Sequence, residues 1–447
     1  MFRRFAIVLI LIPAAGCVGQ SKSNVDVARM EQIVQSYVPQ QFMGSVLVAE
    51  DGKILLDKGY GFANLEWQVP NTPTTKFRLG SITKQFTAAS ILLLEERGKL
   101  KVEDPVKKYM PDAPAAWDKI TIFHLLTHTS GIPSFTSFPD YRDTEAMATT
   151  PEKLVARFRE KPLGFEPGTK WSYSNSGYVL LGYLLEKISG QTYSEFVQQN
   201  IFTPLGMKDS GYDSNSAVIE RRAAGYARSK DGPVNAGFIH MSIPFSAGAL
   251  YSTTEDLLRW EQGLFGGKVL KRESLAKMTT PFKEDYAFGL VVTSKDGHKR
   301  IEHGGGIEGF NTSLTFYPDD KLVVAVLANL NGPFADQIGN HLSLVAHGEK
   351  VVLASERKEI KVSPAILQQY VGTYELAPEF SLVMTLEDGR LMSQATNQNK
   401  NPLFAESETR FFLKVVDAQV EFFKNGNGQV SHLVLYQNGR ETKGMKK

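Results

Sequence analysis

Apolar and polar positions alternate in three different ways along this chain, and each way predicts a different kind of element. Near the start, Val27 to Val38 carries the spacing of an amphipathic helix. Ser45-Val46-Leu47-Val48-Ala49, the Asp51-Gly52 turn and Ile54-Leu55-Leu56 then read as a β-hairpin. The run Phe86, Ala88, Ala89, Ile91, Leu92, Leu93, Leu94 is apolar nearly all the way round, which marks a buried helix, and Gly98 supplies its stop. From there to Trp260 the chain reads as helix and loop. Strand patterns return at Ala287 to Thr293, Ser313 to Tyr317 and Leu322 to Asn329, with a turn at Pro318-Asp319-Asp320. Strands at both ends with a helical middle predict an α+β fold: one antiparallel sheet assembled from the two ends, helices packed on it, and a helical insertion.

Beyond Lys358 to Pro364, a charged segment ending in proline, the texture changes. Leu382 to Leu386, Phe411 to Val415, Val420 to Phe423 and Val430 to Tyr436 are short alternating runs. Turns fall at Asp388-Gly389, Asn425-Gly426 and Asn438-Gly439. This predicts a second, small all-β barrel or sandwich over residues 365–447, after a first domain over 27–351.

Composition narrows the function. The 447 residues carry 50 Lys+Arg against 48 Asp+Glu, a net charge of +2, which points to no nucleic-acid partner. The single cysteine, Cys17, excludes an internal disulfide and a thiolate metal cluster. Arg3 and Arg4, the apolar Phe5 to Ile12, and Ala14-Ala15-Gly16 precede it, as in a secretory signal peptide of residues 1–16. The arrangement is similar to a bacterial lipoprotein signal, which implies lipidation of Cys17, a polar tether over 17–26 and a place in the bacterial cell envelope. The alternative is ordinary cleavage that leaves Cys17 a spare thiol.

Candidate chemistry centres on Ser81-Ile82-Thr83-Lys84, at the head of the buried helix. Serine and lysine three apart share a helix face. Burial and the positive end of the helix both disfavour a charged Lys84, and a neutral lysine can take the serine proton. The plainer reading makes Ser81 a helix cap. Tyr173-Ser174-Asn175 precedes a second apolar helix, Tyr178 to Ile188. A tyrosine beside a lysine ammonium has its pKa lowered and can relay protons, while Asn175 offers an amide to lysine and substrate. Glu302-His303-Gly304-Gly305-Gly306 places three glycines at a strand edge, where free N–H groups can join that of Ser81 in an oxyanion hole. His124 and His128, four apart on an expected helix, have metal-pair spacing but lack the adjacent general-base glutamate.

Taken together these motifs resemble the serine β-lactamase and penicillin-binding-protein superfamily, in the branch of class C β-lactamases, esterases and D-aminopeptidases. Ser81-Ile82-Thr83-Lys84 matches its Ser-x-x-Lys, Tyr173-Ser174-Asn175 its Tyr-x-Asn, and His303-Gly304-Gly305 stands in the place of its Lys-Thr-Gly. Leu125 to Ile132, Pro204 to Met207 and Gly248 to Ser252 fit the same order. The resemblance implies a β-lactamase/transpeptidase-like fold with Ser81 as nucleophile and Lys84 with Tyr173 handling protons. It also implies that Asn175, His303, Gly304 and Gly305 meet the substrate, and that Ser81 and Gly306 N–H groups form the oxyanion hole, with no cofactor or metal. Histidine in place of the family's lysine tilts the expected substrate from β-lactams toward a small ester or a D-amino-acid peptide-like amide. A class C-like β-lactamase or penicillin-binding carboxypeptidase, and a non-catalytic lipid-tethered binding protein, are the alternatives. The segment after Tyr370 is similar to lipocalin-like domains appended to such hydrolases.

Overall fold

The computed structural model describes residues 25–38, 42–295, 297–415, 417–437 and 440–447. Cys17, the signal and most of the tether lie outside the described residues, as does the expected Asn438-Gly439 turn.

A six-stranded antiparallel sheet forms the frame, in the order Val291–Lys295, His298–Ile307, Phe310–Tyr317, Leu322–Ala328, Gly44–Glu50 and Lys53–Tyr60. Gly44–Glu50 pairs with Leu322–Ala328 from Gly44↔Ala328 to Glu50↔Leu322, so the N-terminal hairpin completes a sheet begun near the end of the domain. These two central strands are apolar without alternation because both faces are covered. Val46, Val48, Val324 and Val326 meet the helices Val27–Tyr37 and Phe334–Ala346 through Met30, Ile33, Ile338 and Leu342. Leu47, Ala49, Ala325 and Leu327 face the opposite way, into the larger core.

That larger core holds the helix Thr83–Glu96, whose residues Thr83 to Leu94 are all buried. Phe86 stacks on Trp260 at 4.1 Å and meets the edge of Phe202 at 5.6 Å, which locks the helix against Thr254–Phe265. The expected strand at Ala287 to Thr293 begins later, at Val291. The residues before it form a bend in which Ala287 N–H donates to the Leu290 carbonyl, 2.8 Å. Gly289 sits there at φ +70°, and a Cβ on it would come within 2.6 Å of the Lys84 carbonyl.

The C-terminal domain is a nearly closed all-β barrel of nine strands with its own core around Tyr370, Tyr374, Phe411 and Phe422. Its two edge strands, Lys400–Pro402 and Phe404–Ala405, are separated in sequence by Leu403 alone, so the chain itself joins the two edges. The segment leading to the barrel is pinned at both sides. Glu356 takes two hydrogen bonds from Arg29, and Asp417 accepts from Arg357 at 2.9 Å and meets His341 Nε2 at 3.2 Å.

Candidate active site

The nucleophile turn is built by contacts that only the tertiary fold supplies. Leu79 N–H donates to the Leu250 carbonyl at 2.8 Å, and Thr312 Oγ1 donates to the Leu79 carbonyl at 2.7 Å. Arg78 Nε pairs with the fully buried Asp213 at 2.6 Å. Gly80 then takes φ +54°, and a Cβ there would lie 2.8 Å from the Gly306 nitrogen, so glycine is required for the turn to approach the strand. Ser81 follows inside a 3₁₀ turn, Gly80–Ile82, that runs into the buried helix. Its N–H falls in the first turn, where backbone donors have no helical acceptor. Ser81 makes no side-chain cap, contrary to the plainer reading of the sequence.

Lys84 is fully buried, and its Nζ has three neighbours: Ser81 Oγ at 3.0 Å, Asn175 Oδ1 at 2.9 Å and the Ala247 carbonyl at 2.8 Å. A neutral amine has two hydrogens and one lone pair. Asn175 and Ala247 take the hydrogens, and the lone pair is left facing the serine hydroxyl. Burial holds the Lys84 pKa well below its ordinary value, which favours that neutral form. The ring faces of Tyr173 and Tyr178 lie 4.9 and 5.5 Å from Nζ, ready to receive the charge once a proton arrives.

Tyr173 shares a hydrogen bond with Ser81, and burial raises its pKa, partly offset by that bond. The expectation of a tyrosine acidified by a neighbouring ammonium is therefore reversed. The same burial that neutralises Lys84 removes the charge that would have stabilised a phenolate. Asn175 is held by its own contacts: its N–H donates to Ser134 Oγ and its Nδ2 to Thr136 Oγ1, both at 3.1 Å.

His303 is placed differently from the sequence expectation. Nδ1 lies 2.6 Å from the Gly304 carbonyl and donates to it, so Nε2 is bare and accepts from the Tyr286 hydroxyl at 3.1 Å. Both ring nitrogens are thus engaged inside the protein. Burial lowers its pKa to about 4. His303, Gly304 and Gly305 do not line the cleft; Gly306 does. Gly305 has a packing reason instead, since a Cβ on it would come within 1.9 Å of the Leu79 carbonyl. The substrate contacts expected of His303, Gly304 and Gly305 are corrected accordingly: the His303 ring is engaged inside the protein, and the two glycines lie behind the lining residues and support the turn.

His124 and His128 do not share a helix. The helix Ile122–Leu126 ends first, and His124 caps it through Thr121. His128 has φ +57° and is buried, its Nδ1 accepting the Ser174 N–H at 3.1 Å while its carbonyl accepts the Ser172 N–H at 3.0 Å. It positions the loop that carries Tyr173, whose ring it meets at 4.3 Å. Outside the cleft, His298 Nδ1 and His347 Nε2 converge on Asp320 Oδ2 at 3.0 and 3.2 Å, the only cluster of metal-ligand type among the described residues.

The cleft itself has a volume of ≈ 180 Å³ and is lined by Ser81, Asn175 and Gly306 with Phe135, Tyr141 and Ile307. Its one charged lining residue is Glu308, which sequence reading passed over. Arg142 Nη1 reaches Glu308 Oε1 at 3.1 Å but also bonds both oxygens of Glu145, at 3.1 and 2.9 Å. Two carboxylates share one guanidinium, so this wall keeps a net negative charge.

A seryl hydroxyl, a neutral lysine, a hydrogen-bonded tyrosine and two backbone N–H groups around one small cleft is the equipment of acyl transfer through serine. The comparisons agree. Residues 31–347 match the Beta-lactamase family model, and the chain belongs to that family of serine hydrolases related to penicillin-binding proteins. Residues 356–446 match a domain of unknown function, DUF3471. Over 428 residues the chain is 31% identical to penicillin-binding protein 4* of Bacillus subtilis (strain 168), covering 90% of this chain and 94% of that protein. The octameric penicillin-binding protein homologue from Pyrococcus abyssi superposes with a TM-score of 0.67 at 28% identity, over 94% of this chain and 100% of the other. D-amino acid amidase from Ochrobactrum anthropi SV3, solved with D-phenylalanine, gives a TM-score of 0.63 at 25% identity, over 72% of this chain and 98% of that one.

Proposed function

We propose that this serine hydrolase cleaves small amides or esters that carry a free amine near the scissile carbonyl, as D-amino-acid amides do. Ser81 Oγ attacks the carbonyl carbon while Lys84 Nζ takes the hydroxyl proton. The oxyanion falls between the N–H groups of Ser81 and Gly306. Tyr173, kept protonated, passes the proton on to the leaving amine by giving its own and receiving one. Water then repeats the sequence on the acyl-enzyme in reverse order. Asn175 fixes Lys84 and offers its amide to the substrate.

The observation that carries the substrate choice is the charge of the cleft: Glu308 is its charged lining residue, and His303 stays neutral behind it. A carboxylate of the β-lactam kind meets no cation among the described residues that line the cleft, whereas an ammonium meets a carboxylate. The name of the Ochrobactrum relative supports the same class. The test is a panel of D-phenylalanine amide, its N-acetyl derivative, a p-nitrophenyl ester and a chromogenic cephalosporin. We expect the free amide to be preferred and the cephalosporin to turn over slowest. A fluorophosphonate should label Ser81, and Ser81→Ala should abolish both labelling and turnover with the fold retained. A preference for the cephalosporin would overturn the substrate reading. An unlabelled, inactive parent protein would favour a tethered binding protein on this scaffold.

Export and tethering through a lipid on Cys17, in the bacterial cell envelope, complete the proposal. Its support is the order of Arg3-Arg4, the Phe5 to Ile12 apolar run and the lone cysteine. Cys17→Ser should move the protein from the membrane to the soluble fraction; unchanged fractionation without a fatty-acid label on the parent would refute it.

A further inference from the structure

A second cavity lies at the far end of the sheet, between the helix Thr254–Phe265 and the turns at Gly52 and Pro318. Its volume is ≈ 510 Å³, within the range of small-molecule sites. Phe316, on its wall, stands four residues beyond Thr312 on the same strand, about 13 Å from the point where that strand touches the nucleophile turn. The walls are Leu258, Phe265, Phe316 and Val323, and the rings of Phe265 and Phe316 stack face to face at 4.2 Å.

Glu261 breaks this apolar surface. It is 2% exposed, it lines the cavity, and its Oε2 has no hydrogen-bond partner. A buried carboxyl oxygen left unsatisfied is costly, and no step proposed at Ser81 uses this one. The charged groups at the cavity mouth, Asp51 on the first hairpin turn and Lys321 on the Pro318 turn, pair with each other at 2.8 Å. No side chain among the described residues partners Glu261 Oε2, which leaves that place to whatever fills the cavity.

We propose that this cavity is a second ligand site, for an organic amine with an aryl or alkyl body whose ammonium pairs with Glu261. An ammonium offers three hydrogens and a charge-assisted bond, roughly twice as strong as a neutral one. The stacked Phe265–Phe316 pair, with Leu258 and Val323, accepts an aromatic or alkyl body by apolar contact. Burial raises the Glu261 pKa to about 8, so the empty site holds the neutral acid below that pH. Capture is then an exchange: the carboxyl O–H breaks, the carboxylate pairs with the incoming ammonium, and one proton leaves to solvent.

The experiment is a calorimetric titration of 2-phenylethylamine into the full-length protein at pH 6.5, in two buffers of different ionisation heat, with Ser81 already blocked by a fluorophosphonate. The site predicts one amine bound per chain and about one proton released. Glu261→Gln, which keeps the volume but cannot ionise, should weaken binding at least tenfold and abolish proton release. Glu308→Gln should leave both unchanged, which separates this site from the catalytic cleft. Absence of binding, equal affinity for the uncharged 2-phenylethanol, or an unaltered titration in Glu261→Gln would each overturn the proposal, leaving a water-filled cavity. Should Glu261→Gln fail to fold, proton release by the parent protein decides alone.

Discussion

Replacing Glu308 with glutamine tests the electrostatics of the cleft with little disturbance of its shape. The consequence can be worked from the contacts. Arg142 remains neutralised by Glu145, whose two oxygens it already holds at 3.1 and 2.9 Å, so the substitution creates no orphan cation. The local net charge goes from negative to neutral. A substrate ammonium about 4 Å from the Glu308 carboxylate gains about 4 kcal/mol at an effective dielectric of about 20. Arg142 and Glu145 are present in parent and variant alike, so their fields cancel from the comparison. Water in the open cleft screens this attraction to about the 1.5–3 kcal/mol of a hydrogen bond to a charged group, so about tenfold in specificity, the lower end, is the expected scale. The assay is kcat/KM for D-phenylalanine p-nitroanilide against its N-acetyl derivative, in parent and Glu308→Gln. The ratio should fall about tenfold while the acetylated substrate is hydrolysed as before. An unchanged ratio would refute the role of Glu308. An equal loss on both substrates would mean that Glu308 holds the cleft together without sensing the amine.

Three further outcomes follow from the same geometry. Lys84→Met should remove fluorophosphonate labelling. It should also change how stability depends on pH: with the folded Lys84 pKa below the ordinary lysine value, the unfolded chain binds more protons, so the parent gains stability as pH rises through that window. The gap in Tm between parent and Lys84→Met should shift in the parent's favour from pH 7 to pH 9.5, and parallel curves would show that Lys84 is charged in the fold. Gly305→Ala should displace the strand and cost most of the activity, because its Cβ would sit 1.9 Å from the Leu79 carbonyl, whereas Gly304→Ala, with contacts no nearer than 3.5 Å, should be tolerated. Equal rates for the two alanine variants would show that the strand does not have to meet the nucleophile turn this closely.

What the sequence made legible was local. Ser81 and Lys84 are three residues apart at the head of one helix, and that short range fixes their approach whatever the rest of the chain does. Tyr173 and Asn175 were legible for the same reason, standing together before the Asn175–Ser189 helix. The sheet built from both ends was legible because hydrophobic runs and turns are local too. The groups that finish the site come from far away: the Ala247 carbonyl on Lys84, Tyr286 on His303, and Arg142 on Glu308, which are separated by 163, 17 and 166 residues. No periodicity announces such partners. His128 was visible as half of a metal-spaced pair and as a member of the Leu125 to Ile132 stretch, but its positive φ, which puts its ring under the Tyr173 loop, needs the folded chain to be seen.

Two of the expectations that failed, an acidified Tyr173 and a substrate-facing His303, share one physical cause. Sequence shows which groups can carry charge, but burial decides which of them do. Lys84 was read at once as a neutral base and as the ammonium that lowers a tyrosine pKa, and a single buried lysine cannot be both. Fully enclosed, with two acceptors for its hydrogens, it is neutral at rest, and Tyr173 keeps its proton. Burial acts on His303 in the same sense and keeps its ring neutral. The resting site is therefore short of positive charge, which is the condition for Glu308 to set the sign of the cleft. A cation forms there only when the serine proton reaches Lys84, between the Tyr173 and Tyr178 rings, at the moment negative charge develops on the substrate oxygen. The field that stabilises the transition state is thus absent from the ground state, which is how binding energy is kept for the step that needs it.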